Sequence, residues 1–457
     1  MGGDRNDVDL RYGQNYPFAR RRVNRHVHLP LSRRDTAMTN LGLINIATAV
    51  VTLAAVFGYI NHRWLRFPST IGLVVIAMVS SLGVIAIDGI FPALGLRDTA
   101  RAAFLQIDFH ETLMEGLLSF LLFAGALHVN LDELLARKWA ISTLATVGVL
   151  ISTALNAVGI FYLSRLVGID MPFSWALVFG ALISPTDPVA VLGILKTVSG
   201  VPDSLRAKIA GESLFNDGVG VVVFTILVTI AVGSGHGGEA IGALGIAELF
   251  VVEAVGGAVL GLLTGLVAFY AIKSIDEYNL EILITLSLVM LTYGIAALLH
   301  LSGPIAVVIA GLLMGNHGTR FAMSEKSRQH VEMFWNLLDE ILNAALFLLI
   351  GFEVIALTFG TPELISMVIA IPLALAARFV SVSIPITALG LRREFTKGAI
   401  PVLTWGGLKG GISVALALSL PDVPAREPIL AITYGVVVFS IIVQGLSIRR
   451  VVKLTVR

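Results

Sequence analysis

Long apolar runs separated by short polar loops dominate the chain from residue 41 onward. A helix needs about 20 predominantly apolar residues to cross the hydrocarbon core of a bilayer. Such runs predict spanning helices near residues 41–60, 70–92, 113–129, 139–164, 173–195, 208–234, 246–271, 279–299, 302–316, 333–358, 363–388, 399–419 and 428–448. The pattern therefore predicts an all-α polytopic membrane protein with about 13 transmembrane helices.

Composition narrows the function further. Of the 457 residues only 14% are charged, against roughly 25% in soluble domains, which excludes a water-soluble enzyme. A net charge of +1 excludes a strongly basic nucleic-acid binder, and the absence of cysteine excludes disulfides and thiolate chemistry. Because we find no nucleotide-binding loop, metal triad or nucleophile motif, we expect neither an ATP-driven pump nor a membrane enzyme, and no cofactor.

The chain divides into three parts by polarity. Residues 1–38 form a polar, Arg-rich tail, residues 39–449 form a membrane domain, and residues 450–457 form a short tail. The apolar length of the middle part leaves little for an extramembrane domain.

Positive charge is distributed unevenly between alternate loops. Loops on one side, together with the C-terminal segment, carry 18 Lys and Arg residues, and the opposite loops carry 4. Since cytoplasmic loops retain Lys and Arg, this predicts a cytoplasmic C-terminus. With 13 helices the N-terminus then lies outside, which conflicts with the 8 basic residues of its tail. Either the tail escapes the rule, or one run is miscounted, or translation begins near Met38.

The fifth predicted span contains S-P-T-D-P, with Pro185 and Pro188 on either side of Thr186 and Asp187. Each proline removes a backbone donor and clashes with the preceding turn, so the helix is expected to unwind here. Unwound backbone offers carbonyl groups to a cation, and Asp187 can balance the dipoles of the half-helix ends. The alternative is a simple proline kink in which Asp187 caps a helix.

The sixth predicted span places Glu212, Ser213, Asn216 and Asp217 in an otherwise apolar helix. Ser213 and Asp217 are four residues apart and share a face. A carboxylate in hydrocarbon carries a charge that either a proton or a metal cation can neutralise. Hard cations prefer oxygen ligands, and Asp217, the Ser213 hydroxyl and the Thr186 backbone supply them. A permanent salt bridge is the competing interpretation, and it suits Glu212 better than Asp217.

Two basic residues fall inside predicted spans. Arg378 is the natural partner of Glu212, either as a structural ion pair or as a direct participant in transport. Lys409 lies among four glycines in T-W-G-G-L-K-G-G, a run that weakens the helix. Lys409 either neutralises half-helix ends or extends to the cytoplasmic interface. Interrupted helices in both halves of a chain are typical of inverted-repeat transporters.

Four elements together resemble a known family. S-P-T-D-P-V-A-V at 184–191, E-S-L-F-N-D-G at 212–218, Arg378 and W-G-G-L-K-G at 405–410 are similar to those of the sodium/proton exchangers of the cation/proton antiporter superfamily. The chain most resembles the bacterial NhaP-type antiporters, relatives of the animal NHE exchangers, from its first predicted span to its last.

The resemblance implies a fold, an assembly and a set of roles. It implies two inverted six-helix repeats with crossed, interrupted helices, as in NhaA-like antiporters, and a homodimer in the bacterial inner membrane. A core bundle of about 113–234 and 333–419 would move against a dimerisation part formed by the other helices. By similarity, Asp217 exchanges Na⁺ for H⁺, Ser213 and Thr186 are ligands, and Asn216 is the neighbour found in electroneutral relatives. Asp187 and Lys409 would support the crossover, and Glu212 with Arg378 would be structural.

One position departs from the family pattern. Many relatives have an acidic residue in the third span where this chain has Ala124 in F-A-G-A-L, which puts ion selectivity in doubt. We therefore expect electroneutral Na⁺/H⁺ exchange by alternating access, with one carboxylate that holds either ion. A K⁺/H⁺ or mixed-cation antiporter on the same scaffold is the nearer alternative. A gated cation channel is the farther one, because channels favour a continuous pore lined by repeated ligand rings.

Overall fold

The computed structural model describes residues 33–105, 116–187, 191, 202–235, 243–355, 357, 360–390 and 398–455. Within these ranges every regular element is helical, as predicted. Residues 1–32 of the predicted tail, residues 113–115 of the predicted core bundle and Pro188 lie outside the described residues.

The chain divides into two units, Met1–Thr48 and Ala49–Arg457. In the first unit the structure describes residues 33–48, which belong to helix α1 (Arg33–Ile60). The helix thus begins inside the segment predicted to be a tail, and the Arg and Ala residues there are good helix formers. The remaining features all concern the second unit.

The described chain contains many helices, which differ widely in length. Up to residue 235 they are α2 (Ser69–Ile90), α3 (Leu96–Leu105), α4 (Leu118–Leu127), α5 (Leu131–Ala136), α6 (Lys138–Thr143), α7 (Val149–Leu166), α8 (Phe173–Ile183) and α9 (Asp203–Gly235). After it they are α10 (Ala243–Lys273), α11 (Tyr278–Leu298), α12 (Gly303–Leu313), α13 (Thr319–Phe321), α14 (Glu325–Phe352), α15 (Thr361–Gly390), α16 (Ala399–Trp405), α17 (Gly411–Leu418), α18 (Arg426–Phe439) and α19 (Gly445–Thr455).

Several of these helices continue into one another through wider or tighter turns. Wider, π-helical turns lie at Asn61–Leu65, Leu144–Gly148, Met314–Gly318 and Ser440–Gln444, and 3₁₀ turns at Pro92–Leu94 and Glu353–Ile355. The last helix runs to Thr455, so most of the segment predicted as a C-terminal tail is helical.

Seven helical segments of the described chain are long and apolar enough to cross a bilayer. They are Ser69–Ile90, Lys138–Leu166, Leu205–Gly233, Glu248–Lys273, Tyr278–Leu298, Thr361–Gly390 and Arg426–Thr455. Helices α4 and α8 are apolar but shorter. The protein is therefore a multi-pass membrane protein, as predicted, and the finer count of about 13 spans stays a prediction.

Aromatic packing joins α4 to α14. The indole of Trp335 in α14 is fully buried, and its ring centroid lies 4.6 Å from that of Phe123 in α4. The indole N–H donates to the Thr285 hydroxyl of α11 at 3.0 Å, so the one polar atom of the side chain is satisfied. Buried tryptophan combines a large apolar area with a single donor that needs a partner, and here it ties three helices together.

Small residues let α10 approach α12 closely. A Cβ atom at Gly261 would lie 2.0 Å from the Ala306 carbonyl oxygen, and one at Gly257 would lie 2.6 Å from the Ser302 carbonyl oxygen. In membranes, helix association depends on such close packing because lipid offers no hydrophobic driving force. A glycine is therefore required at position 261 for this helix spacing.

We predict that Gly261→Ala lowers the thermal unfolding midpoint of the purified protein in detergent. The added methyl meets backbone rather than a flexible side chain, and overpacking costs about 1–3 kcal/mol. The matched control is Gly294→Ala in α11, where a Cβ meets nothing within 4 Å. The control should leave the midpoint equal or higher, since alanine is the better helix former. Equal midpoints for the two variants would contradict this packing.

Candidate ion-binding site

The site begins where α8 stops inside the protein. The helix ends at Ile183, and Pro185, Thr186 and Asp187 are not helical. Ser184 at its end is held by two bonds, since its hydroxyl donates to the Gly180 carbonyl at 2.6 Å and accepts from Thr153 at 3.2 Å. Ser184, Pro185 and Thr186 are buried, so the non-helical backbone lies in the protein interior rather than in lipid.

A second break lies between α16 and α17, at residues 406–410. The two breaks meet through the main chain, because the Asp187 N–H donates to the Leu408 carbonyl at 2.8 Å. Leu408 is 1% exposed. Each break therefore satisfies part of the backbone polarity that the other exposes.

Lys409 compensates the carbonyl end of α8. Its side chain is 4% exposed, and its Nζ donates to the carbonyl oxygens of Ser184 at 2.9 Å and Pro185 at 3.2 Å. A helix C-terminus carries partial negative charge, which a buried ammonium stabilises. Of the two positions predicted for Lys409, the structure has the side chain at the half-helix end and not at a membrane surface.

Asp187 lies beside the N-terminal end of the other broken helix, at the start of α17. A Cβ at Gly410 would be 2.2 Å from Oδ2 of Asp187, so the carboxylate contacts the backbone just before Gly411, the first residue of the helix. Only glycine leaves room for this contact. The partial positive charge of a helix N-terminus favours a carboxylate there.

Asp217 in α9 is a buried acid that interacts electrostatically with both of these charges. Its side chain is 3% exposed, and Asp187 and Lys409 act on it with like and opposite charge. Within the part of the chain that the structure describes, Oδ1 of Asp217 is buried with no hydrogen-bond partner. A buried carboxylate oxygen without a donor is costly unless a proton or cation occupies it.

Thr186, Ser213 and Asn216 form one hydrogen-bonded group. The Asn216 amide donates to the Thr186 hydroxyl at 2.8 Å, and its oxygen accepts the Thr186 backbone N–H at 3.3 Å. The Thr186 and Ser213 hydroxyls share a hydrogen bond at 3.0 Å. All three side chains are buried. Asn216 thus joins α9 to the broken segment through both its amide nitrogen and its amide oxygen, and it is the residue directly before Asp217.

Glu212 and Arg378 form a buried salt bridge between α9 and α15. Arg378 donates to the two carboxylate oxygens at 2.5 and 2.9 Å, in the bidentate arrangement that favours arginine. It also donates to the Leu403 carbonyl of α16 at 3.1 and 3.3 Å. The side chains of Glu212 and Arg378 are 1% and 7% exposed, so the pair is buried. Its bonds link three helices, and the pair is separate from the unpartnered oxygen of Asp217.

Two further residues hold the second break, at residues 406–410, in place and were not predicted from the sequence. The Lys409 backbone N–H donates to the Ser440 hydroxyl at 2.8 Å, which in turn donates to the Gln444 side chain at 2.6 Å. The Gln444 amide donates to the Trp405 carbonyl at 3.0 Å. The available signal was that both are polar residues within the apolar run 428–448.

Ala124 lies in α4 and is 1% exposed. Its methyl group occupies a buried position for which many relatives were expected to have a carboxylate. Among the described residues no group of three His, Asp or Glu side chains is arranged to hold a metal ion. Any cation at Asp217 would therefore have fewer than three such side chains as ligands and would depend on neutral oxygen atoms as well.

Comparison with known proteins identifies the relatives of this chain. The family model described as "Sodium/hydrogen exchanger, transmembrane" matches residues 51–454. The chain is 45% identical over 416 residues to the Na⁺/H⁺ antiporter NhaP of Pseudomonas aeruginosa, which covers 90% of this chain and 96% of that protein. It is 33% identical to the Na⁺/H⁺ antiporter NhaH of Halobacillus dabanensis, over 92% of this chain and 98% of that protein.

A solved structure has the same fold. The sodium proton antiporter MjNhaP1 of Methanocaldococcus jannaschii superposes with a TM-score of 0.67, over 90% of this chain and 97% of that one, at 19% sequence identity. At this identity the likeness concerns the fold alone.

We predict that Arg378→Met destabilises the protein by about 3–5 kcal/mol, because it leaves the Glu212 charge buried without its partner. The free energy of unfolding is measured by denaturant titration in detergent micelles. The double variant Glu212→Gln with Arg378→Met removes both charges and should recover much of that loss, though not the bonds to the Leu403 carbonyl. If the loss of unfolding free energy in the double variant equalled the sum of the losses in Glu212→Gln and Arg378→Met measured singly, the pair would not be coupled.

Proposed function

The chain belongs to the sodium/hydrogen exchanger family, and from that premise we propose that it is a secondary active antiporter that exchanges Na⁺ for H⁺ across the membrane. Two relatives that match nearly the whole chain are named Na⁺/H⁺ antiporters. The observation that carries the proposal is the buried Oδ1 of Asp217, which has no hydrogen-bond partner among the described residues.

We propose that Asp217 holds either Na⁺ or H⁺, never both. A carboxylate deep in the protein is neutralised equally well by either ion, so binding of one displaces the other. The Ser213 hydroxyl and Thr186 complete the oxygen ligands of Na⁺ in this proposal. Their mutual hydrogen bond of 3.0 Å supports a ligand set already gathered at one place.

The fixed charges around Asp217 have a different role. Lys409 and Asp187 stabilise the ends of two broken helices, and Glu212 with Arg378 joins three helices. We propose that these groups keep their charge through the cycle and that Asp217 alone changes its occupant. The site can then move between the two membrane faces without exposing the half-helix ends.

The exchange is proposed to be electroneutral. Asn216, the neighbour of Asp217, is committed to Thr186 through both amide atoms and has no titratable group. One carboxylate then trades one monovalent cation for one proton, with no net charge moved per cycle. The protein needs no cofactor in this scheme, since the proton gradient supplies the free energy.

The architecture proposed for this cycle has about 13 spans in two inverted six-helix repeats with crossed helices. The two breaks, at residues 184–187 and 406–410, bond to each other, which supports such a crossing. We further propose a homodimer in the bacterial inner membrane, with the C-terminus in the cytoplasm as the loop charges predict. The parts that move would be the core bundle of about 113–234 and 333–419 and the remaining helices.

Ion selectivity defines the nearer alternative, a K⁺/H⁺ or mixed-cation antiporter. Ala124 supplies no carboxylate at a position where many relatives are expected to have one, and neutral oxygens with one acid do not by themselves fix ion size. Vesicles containing the reconstituted protein and a pH-sensitive dye separate the alternatives. Proton movement driven by Na⁺ but not by equal K⁺ supports the proposal, and the reverse order overturns it.

We predict that Asp217→Asn abolishes Na⁺-driven proton movement in reconstituted vesicles, because the amide neither binds a proton reversibly nor carries charge for Na⁺. The matched control is Asp170→Asn, which changes an exposed carboxylate before α8 and should transport normally. Size-exclusion profiles of both variants check that they fold. Exchange by Asp217→Asn at a tenth or more of the unaltered rate would refute the assignment.

We also predict that the rate of Na⁺/H⁺ exchange does not depend on membrane potential. Moving one net charge through ~100 mV is worth about 2.3 kcal/mol, so an electrogenic cycle would respond strongly. The test compares Na⁺-driven proton flux at zero potential with flux at a potential set by a thiocyanate gradient. A several-fold change in rate would contradict a one-for-one cycle.

A further inference from the structure

A second site lies away from Asp217, between the end of α1 and the start of α2. A cavity of about 760 Å³ is lined by Asn61, His62, Arg63, Arg66 and Ser69, with Leu73 among its apolar members. Ligand pockets of proteins commonly enclose about 300–1,000 Å³. The polar lining consists of basic, hydroxyl and amide groups with no acid, which is the chemistry that binds an anion.

The loop that carries these side chains is held in one conformation. The buried Asn61 side chain donates to the Phe67 carbonyl at 2.9 Å and accepts from the Phe67 N–H at 3.1 Å. Arg66 adopts a left-handed backbone with φ of 56°, and its N–H donates to the Asn61 carbonyl at 2.7 Å. The positions from which the arginines extend are therefore fixed before any ligand arrives, which lowers the entropic cost of binding.

In the part of the chain that the structure describes, the basic side chains of this loop have no acidic partner. Among the described residues no carboxylate lies within salt-bridge distance of His62, Arg63 or Arg66, whereas Arg137, Arg320 and Arg328 each have an acidic partner. Two arginines side by side without an acid repel each other. A bound anion removes that repulsion and gains charge-assisted hydrogen bonds.

Exposed aromatic residues place this loop at the membrane surface. Tyr59 and Trp64 are each 64% exposed and contact each other edge to face, with ring centroids 6.1 Å apart. Tyr and Trp concentrate at the level of lipid headgroups, where one end of the ring is apolar and the other is wet. The neighbouring Leu65 is 41% exposed, which suits contact with acyl chains. We therefore expect the basic cavity to open at the level of the lipid phosphates.

We propose that this cavity binds the phosphate-bearing headgroup of an anionic phospholipid, with Arg63 and Arg66 on the phosphate. The loop lies on the side that the charge distribution predicts to be cytoplasmic. Clusters of basic residues next to a membrane helix are a recognised means of retaining anionic lipid. The site is independent of the exchange proposed at Asp217.

The test measures lipid binding by the full-length protein in detergent, using native mass spectrometry with phosphatidylglycerol and with phosphatidylcholine of the same acyl chains. The variant is Arg63→Gln with Arg66→Gln. The matched control is Arg449→Gln with Arg450→Gln, which removes two exposed arginines from the same predicted side. Each arginine near a lipid surface contributes about fivefold in affinity, so the variant should bind phosphatidylglycerol on the order of 30-fold more weakly.

The expected result is tight binding of phosphatidylglycerol over phosphatidylcholine, lost in the first variant, kept in the control and restored by Arg63→Lys with Arg66→Lys. An equal loss in the control variant would mean that lipid responds to total positive charge, and would overturn the site. Competition by inorganic phosphate or glycerol phosphate at concentrations similar to the lipid would assign the cavity to free phosphate instead and overturn the lipid assignment.

Discussion

Backbone polarity in an apolar interior is the constraint on which this structure depends. Two helices stop inside the protein, and the peptide groups released there cannot turn to water. The Asp187 N–H bonds the Leu408 carbonyl, and Lys409 bonds the carbonyls of Ser184 and Pro185. The two breaks thus stabilise each other, with an ammonium at one half-helix end and a carboxylate at another. Satisfying the breaks in this way brings opposite fixed charges close to Asp217.

In the proposed cycle, this arrangement divides the buried charged groups into those with a fixed structural partner and one that exchanges its ion. Glu212 has a bidentate arginine, and Lys409 has two carbonyls, so each is committed to a fixed partner. Oδ1 of Asp217 has no such partner in the described part of the chain. In the proposed cycle the occupant of this acid changes at low cost, because Oδ1 has no protein hydrogen bond that must break when a cation replaces a proton. In the proposed cycle the surrounding bonds hold the geometry while Asp217 exchanges its ion.

The sequence predicted the helical membrane fold and the residues around both breaks, because proline, clustered glycine and intramembrane charge each have a strong physical cost. The apolar run 399–419 predicted one span and the glycines within it predicted a weakened helix, but not that the span divides into two separate helices, α16 and α17. Composition also left the direction of the Lys409 side chain open, since an ammonium can satisfy itself at a carbonyl or at a surface. Ser440 and Gln444 escaped prediction because isolated polar residues in an apolar helix have many possible partners. The start of α1 at Arg33 shows that polar residues continue a helix readily.

The central claim is that one carboxylate binds Na⁺ and H⁺ in competition. The most direct test is calorimetric titration of Na⁺ into the purified protein in buffers of different ionisation enthalpy, over a series of pH values. We predict that Na⁺ binding releases protons, with a maximum of one proton per ion, and that Asp217→Asn shows neither Na⁺ binding nor proton release. Tight Na⁺ binding that releases no proton at any pH would contradict it.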